Sequence, residues 1–301
     1  MNLRQLHYFR TLAKLEHYTQ AAAELGISQP SLSHAISELE KDLNTYLFEK
    51  QGRNVKLTKY GRFFLPYVTN SLAELERGEE QLRKLTSATG GVVDLAFIYT
   101  LGAHFVPTLI REFAKIEPDI TFSLQQGTTN NLIQGLKEEK YDIALCSMVT
   151  DTTDVEFIPI VEEELVVIVP LDHPLAHKST INLKDTQDYP FISFSASSGV
   201  RPLIDSLFRE VNITPNIKFE VEEDSALAGL VAANQGIAVI PRISTLTHYP
   251  VAILTITEPA HQRFIYITTL KNHYLPPAVK AFQDFAISYA RKHYLEQNHR
   301  L

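Results

Sequence analysis

TQAAAELGISQPSLSHAISELEKDL, residues 19–43, reads as two short helices joined by a tight turn. Thr19 can cap the first helix, Ala21, Ala22 and Leu25 supply its inner face, and Gly26 tolerates the positive φ of a helix end. Ser28 can then cap a second helix, with Gln29, Pro30 and Ser31 in its first turn, where a missing proline N–H costs least. Leu32, Ile36, Leu39 and Leu43 form one stripe of that helix, which turns Gln29, Ser33, His34 and Ser37 outward. Short polar side chains near a helix N-terminus suit a major groove: the positive end faces phosphates while Gln29 reaches a base edge. The spacing of Ala22, Gly26 and Leu32 fits a helix-turn-helix. The alternative is any pair of antiparallel helices with a polar outer face.

The flanking chain extends this reading. Leu3, Leu6, Phe9 and Ala13 share one face of a preceding helix that can cover the pair, with Arg4 and Arg10 off that face. After it, YLFEKQGRNVKL alternates around a glycine turn, so Leu47, Val55 and Leu57 point inward while Lys50, Arg53 and Lys56 point out. A hairpin with basic tips is a wing, and Arg53 beside Gly52 is placed to enter a narrow minor groove.

The opening sixty residues resemble the N-terminus of LysR-type transcriptional regulators, nearly residue for residue through AAAELGISQPSLS, LE, LF and GR. Looser similarity runs on through GLKEEKYDIAL, PLDHPLA and GLVAANQGIAVIP, in that order. Two departures matter: arginines common near positions 34 and 37 are replaced here by His34 and Ser37, so base readout is expected to depend less on charge. The resemblance implies an α/β chain with three parts. These are a winged helix-turn-helix over residues 1–58, a linker helix and hinge over 59–89, and a periplasmic-binding-protein-like effector domain over 90–301. That domain divides into subdomain I, about 90–161 and 268–301, and subdomain II, about 162–267. It further implies a homodimer or homotetramer on double-stranded promoter DNA, a small-molecule effector, and contact with RNA polymerase.

Composition agrees. A chain of 301 residues suggests about two domains, and 45% hydrophobic residues support a sizeable core. The net charge of −7 is uneven: residues 1–65 hold nine Lys and Arg against six Asp and Glu, so a basic head precedes an acidic body. The single cysteine, Cys146, lies in an apolar run and reads as a buried, inert thiol. No export signal is visible and no apolar run approaches the ~20 residues of a membrane span, so a cytoplasmic location is expected.

Thr58 can cap a long helix running to about Leu85, with Phe64, Val68, Leu72, Leu75, Leu82 and Leu85 at spacings of three, four and seven. Pro66 should kink it. Such a stripe on a charged helix asks for a partner helix. The resemblance makes Val68, Leu72, Leu75 and Leu82 dimerisation residues; the alternative is packing on the chain's own body. TSATGG, residues 86–91, reads as a hinge.

From Val92 the pattern becomes strand, helix, strand: VVDLAFIY, AHFVPTLIREFAKIE stopped by Pro118, ITFSLQQ, NNLIQGLKEEK and DIALCS. A second unit starts at ELVVIVP, with strands at FISF, IKFEVE and IAVIP and helices around 201–211 and 226–234. EFIPIV and RFIYITTL serve as crossovers, and a final helix from Pro276 returns to the first unit. This alternation predicts mostly parallel sheets covered on both faces. Ligand chemistry belongs where strands end and helices begin. Those points carry Thr100 and Leu101, Thr128 and Thr129, Ser147, and Ser195, Ser197 and Ser198. Each hydroxyl is also a sensible helix cap; their recurrence around one cleft favours a polar or anionic small molecule, with Arg201 as countercharge.

Nothing at motif level points to catalysis, a cofactor or a metal. There is no GxSxG, Walker loop or HExxH, and His7, His17, His173, His177 and His248 lack ligand-type spacing. A solute-binding protein would share the fold beyond residue 92, but the attached head argues for a regulator.

Overall fold

The computed structural model describes residues 1–52, 54–87, 90–150 and 152–295. The chain divides into two units, Met1–Lys84 and Leu85–Leu301.

The first unit begins with α1 (Leu3–Leu15), whose capping box pairs the Asn2 side chain with the Gln5 amide and the Gln5 side chain with the Asn2 amide. α2 (Tyr18–Glu24) is capped by His17, whose Nδ1 accepts from the Gln20 amide, so Thr19 lies exposed inside the first turn instead of capping it. Imidazole nitrogen here takes the role expected of the hydroxyl. Gly26 has φ +65°, a left-handed conformation that any side chain would strain. α3 (Gln29–Asp42) then starts from Ser28, whose Oγ accepts from the Ser31 amide at 3.3 Å.

Phe9, Leu12, Ala21, Ala22, Leu32, Ile36 and Leu39 close one core. Leu6 and Ala13 pack at its margin, whereas Leu3 is 54% exposed; Leu12, outside the expected stripe of Leu3, Leu6, Phe9 and Ala13, is wholly buried. The wing is β1 (Phe48–Gln51) against β2 (Asn54–Leu57), antiparallel with Phe48 opposite Leu57, and Leu47, Val55 and Leu57 face the core. Glu40 ties α3 to this wing by accepting from the Leu47 and Phe48 amides at 2.7 and 3.0 Å.

Thr58 Oγ1 accepts from the Gly61 amide at 3.0 Å and opens α4 (Lys59–Leu85), which continues through Pro66. Val68 and Leu72 are buried in the head's own core, next to Phe64 and Leu65. Two of the four expected dimerisation residues therefore anchor the helix to its own head. Leu75 and Leu82 stay exposed, at 47% and 62%. The expected hinge over 86–91 includes residues 88 and 89, which lie outside the described residues.

Among the described residues the second unit carries a five-stranded and a four-stranded sheet of mixed direction and a parallel two-stranded pair. In the first, β3 (Val92–Ile98) lies parallel between β4 (Thr121–Gly127) and β5 (Ile143–Cys146), and β13 (Arg263–Leu270) is inserted antiparallel between β5 and β6 (Val155–Glu163). α5 (Phe105–Phe113), α6 (Thr129–Lys137) and α9 (Pro277–Ala290) cover it, and α5 ends well before Pro118. β6 runs through Glu163 and β13 begins at Arg263, so this subdomain takes more of both crossovers than the expected limits of 161 and 268.

In the second subdomain the order is β11 (Ala238–Pro241), β7 (Leu165–Pro170), β12 (Val251–Glu258) and β8 (Thr180–Asn182). β9 (Pro190–Phe194) and β10 (Asn216–Val221) form a parallel pair joined to this layer by the Phe191–Ile237 bridge. α7 (Arg201–Glu210) and α8 (Asp224–Ala232) pack on it. The sheets are thus less parallel than expected, because β13 enters its sheet on the return crossover and β12 runs against β7. β8 and β12 carry no expected strand. Cys146 is fully buried beside Thr268, and burial pushes its thiol up to about 12, which makes it unreactive.

Candidate functional site

On the head, the exposed face of α3 presents Gln29, Ser31, His34 and Ser37, with Ser28 and Pro30 at its open N-terminus; Ser33 is half-buried. Gln29, Ser33 and Ser37 fall four residues apart and so lie along one line of the helix. The Ser28 and Ser31 hydroxyls engage one another at 2.7 Å. Lys50, opposite Val55 in the wing, and Lys56 are exposed. Arg53 lies outside the described residues. A fourteen-residue helix with its polar N-terminal end exposed beside a basic hairpin is suited to reading a major groove while the hairpin contacts the backbone.

Within the second unit, the C-terminal ends of the parallel strands meet the two crossovers around a narrow, part-open crevice of about 20 Å³. Thr100 reaches it from the single 3-10 turn that follows β3, Thr129 from the first turn of α6, and Ser147 from the end of β5. Ser198, Gly199 and Val200 reach it from the turn between β9 and α7, while Asp224 comes from the start of α8 and Arg263 from the start of β13. Four expected residues, Thr100, Thr129, Ser147 and Ser198, are thereby brought together. The Oγ1 atoms of Thr100 and Thr129 are buried and have no hydrogen-bond partner.

The remaining expected residues go elsewhere. Leu101 is wholly buried in the core of its subdomain. Thr128 is the residue before α6, buried, with an unpartnered Oγ1, and does not line the cavity. Ser195 and Ser197 hydrogen-bond to each other at 2.8 Å beside Glu222. Arg201, the expected countercharge, does not line this crevice: its Nε donates to Asp205 at 2.8 Å and its Nη1 to Glu220 at 2.6 Å, at an outer groove beside Phe208 and Arg209. Those carboxylates together hold the guanidinium pKa above its ordinary value against the opposing effect of burial.

The cation at the cavity is Arg263. It forms a buried ion pair with Glu163 and donates from Nη2 to Ser147 Oγ at 3.2 Å. Burial raises the Glu163 pKa, with Arg263 opposing. Asp224 is pushed up to about 7, chiefly by burial, with the Glu163 charge adding to the effect and Arg263 reducing it. Sequence reading missed Arg263, Glu163 and Asp224. Their signal was a charged residue set against an apolar strand or helix at each crossover. Gly199 allows the subdomains to meet: a Cβ there would lie 2.7 Å from Ser147 Cβ, and closer still to Thr129 Oγ1. Among the described residues no cluster of His, Cys, Asp and Glu could hold a metal ion, and no helix is long and apolar enough to cross a membrane.

Residues 3–62 match the family of bacterial regulatory helix-turn-helix proteins of the lysR type, and residues 87–291 match the LysR substrate binding domain. Over 289 residues the chain is 38% identical to the helix-turn-helix transcriptional regulator YybE of Bacillus subtilis (strain 168), covering 96% of this chain and 99% of that one. Over 301 residues it is 33% identical to the transcriptional dual regulator GltC of the same organism, covering 99% of each. Among solved structures, the effector-binding domain of QuiR in complex with shikimate is 55% identical, with a TM-score of 0.67, over 68% of this chain and 99% of that one.

The chain belongs to the LysR family of transcriptional regulators. It couples a winged helix-turn-helix that binds DNA to a two-subdomain domain that binds a small-molecule effector, and the solute-binding alternative is not favoured. Its relatives are transcriptional regulators, which are not enzymes.

Proposed function

We propose that this chain controls transcription in response to a hydroxylated cyclic carboxylate of the shikimate class, bound between the subdomains of its effector domain. The observation that carries the reading is a narrow crevice between the subdomains whose walls present the unpartnered hydroxyls of Thr100 and Thr129 together with Ser147 and Ser198. A ligand rich in hydroxyl and carboxyl oxygens satisfies such walls, whereas an apolar ligand would leave them unpaired. The 55% identity to a domain that binds shikimate supports the same class.

The chain works in the cytoplasm without catalytic activity of its own, as a homodimer or homotetramer that also contacts RNA polymerase. Dimerisation falls to the exposed part of α4, with Leu75 and Leu82 in the seam, since Val68 and Leu72 are already committed to the head. The test is calorimetric titration with shikimate, paired with a footprint on the DNA upstream of the chain's own gene. Saturable binding and a footprint that changes length or strength with ligand are expected. No heat and an unchanged footprint would remove the proposed effector class.

For the head, Gln29 serves base readout and Lys50 backbone contact, with Arg53 assigned to the minor groove. Gln29→Ala is expected to cost roughly 1–3 kcal/mol on the specific site and almost nothing on random DNA. Isotherms on both DNAs check this, and equal losses on the two would contradict the assignment.

A further inference from the structure

Asp224 stands out among the buried groups. It is the first residue of α8, only 6% exposed, and its Oδ1 has no hydrogen-bond partner although it lines the cavity. The one buried arginine nearby is already paired with Glu163. A buried carboxylate oxygen without a donor is costly; a backbone N–H and the Arg263 charge favour the Asp224 carboxylate, yet neither gives Oδ1 a partner. A ligand that brings a donor would.

The cavity also sets the ligand's orientation. A carboxylate effector is repelled by a charged Asp224, so its acid group belongs with the donors of the other subdomain, Thr100 and the N-terminal end of α6 at Thr129. The end of the ligand that then faces Asp224 must donate hydrogen bonds. A ring with a carboxylate on one side and hydroxyls on the other has this polarity, and the same ring without hydroxyls does not.

We infer that Asp224 reads the hydroxyl groups of the effector and makes the cleft selective for hydroxylated over plain ring carboxylates. This rests on the effector class proposed above. A hydroxyl donating to a carboxylate forms a charge-assisted bond, stronger than a neutral one. A ligand without the hydroxyl leaves the acceptor buried and unpaired, so discrimination should be large.

The test titrates the full chain calorimetrically with shikimate and with 1-cyclohexene-1-carboxylate, which keeps the ring and the acid but lacks the hydroxyls. The wild-type chain should bind shikimate at least about thirtyfold more tightly. Asp224→Asn should weaken shikimate at least about tenfold and leave the plain acid unchanged, so that the ratio collapses. A second arm needs no variant. Burial and the Glu163 charge keep the Asp224 carboxyl near neutrality, and the charged groups around it are Glu163 and Arg263 at the crossovers, Glu223 beside it and Glu222 in the cavity wall. Lowering the pH through neutrality protonates the acceptor, and the wild-type preference should shrink. A wild-type chain that binds both acids equally, or an Asp224→Asn chain that keeps the full preference, overturns the inference while leaving the effector class standing. A wild-type chain that binds neither acid removes the class and the inference together.

Discussion

Arg263→Leu is expected to destabilise the effector unit by about 3–5 kcal/mol near pH 8, and by distinctly less near pH 5.5. The guanidinium lies in a buried pair with Glu163 and also holds Ser147, and its charge moderates the raised pKa of Asp224. Its removal leaves two buried carboxyl groups with no counter-ion. Both already have folded-state pKa values above their ordinary ones, so the folded state binds their protons more tightly than the unfolded chain does. For such groups stability falls as pH rises from the unfolded pKa toward the folded one. Low pH should therefore spare the variant by neutralising the orphaned acids. Urea unfolding followed at both pH values measures the effect, and adding Glu163→Gln to Arg263→Leu should recover most of the loss. An Arg263→Leu chain equally stable at the two pH values, or one losing less than about 1 kcal/mol, would show that the pair does not hold the crossovers together.

The head was legible because its signals are local. A serine cap, a glycine with positive φ and an apolar stripe each act within a turn or two, and Ser28, Gly26 and Leu32 do what their positions predict. Where a neighbour could take the same role, sequence alone chose wrongly: His17 caps α2 in place of Thr19 because its ring nitrogen reaches the same amide. In the linker, periodicity showed that α4 has an apolar face but not where one partner ends and another begins. Val68 and Leu72 share a stripe with Leu75, yet the former pair packs within the head while Leu75 is exposed.

The cleft was half legible. Hydroxyls at strand ends follow from the strand-helix grammar, and Thr100, Thr129, Ser147 and Ser198 line one crevice. The charges were not legible, since they depend on which distant segments cross. Arg201 looked suitable because it opens a helix after a serine-rich turn, but Asp205 one turn on and Glu220 on β10 bind it. Arg263 is 100 residues beyond its partner Glu163, and only the double crossover sets one against the other.

Gly199→Ala is expected to leave the effector unit folded and the DNA head competent, while weakening the effector at least about tenfold and abolishing the ligand-dependent change in footprint. The backbone at Gly199 needs no left-handed conformation, so a methyl group adds no local strain. Its cost arises across the cleft, where the added Cβ would sit 2.7 Å from Ser147 Cβ and would overlap Thr129 Oγ1. Thr129 and Ser147 belong to one subdomain and Gly199 to the other, so opening the cleft relieves the clash at little expense to either core. An effector acts only through its preference for one arrangement over another. A variant held open takes away the arrangement in which, on the proposed reading, Thr100, Thr129 and Asp224 would enclose the ligand together. Small-angle scattering of the full chain with and without shikimate, alongside calorimetry, reads the outcome. The wild type should contract on binding, whereas the Gly199→Ala chain should match the ligand-free wild type at every shikimate concentration. Full affinity and a normal footprint change in the variant would mean that the effector is sensed without closure at this contact.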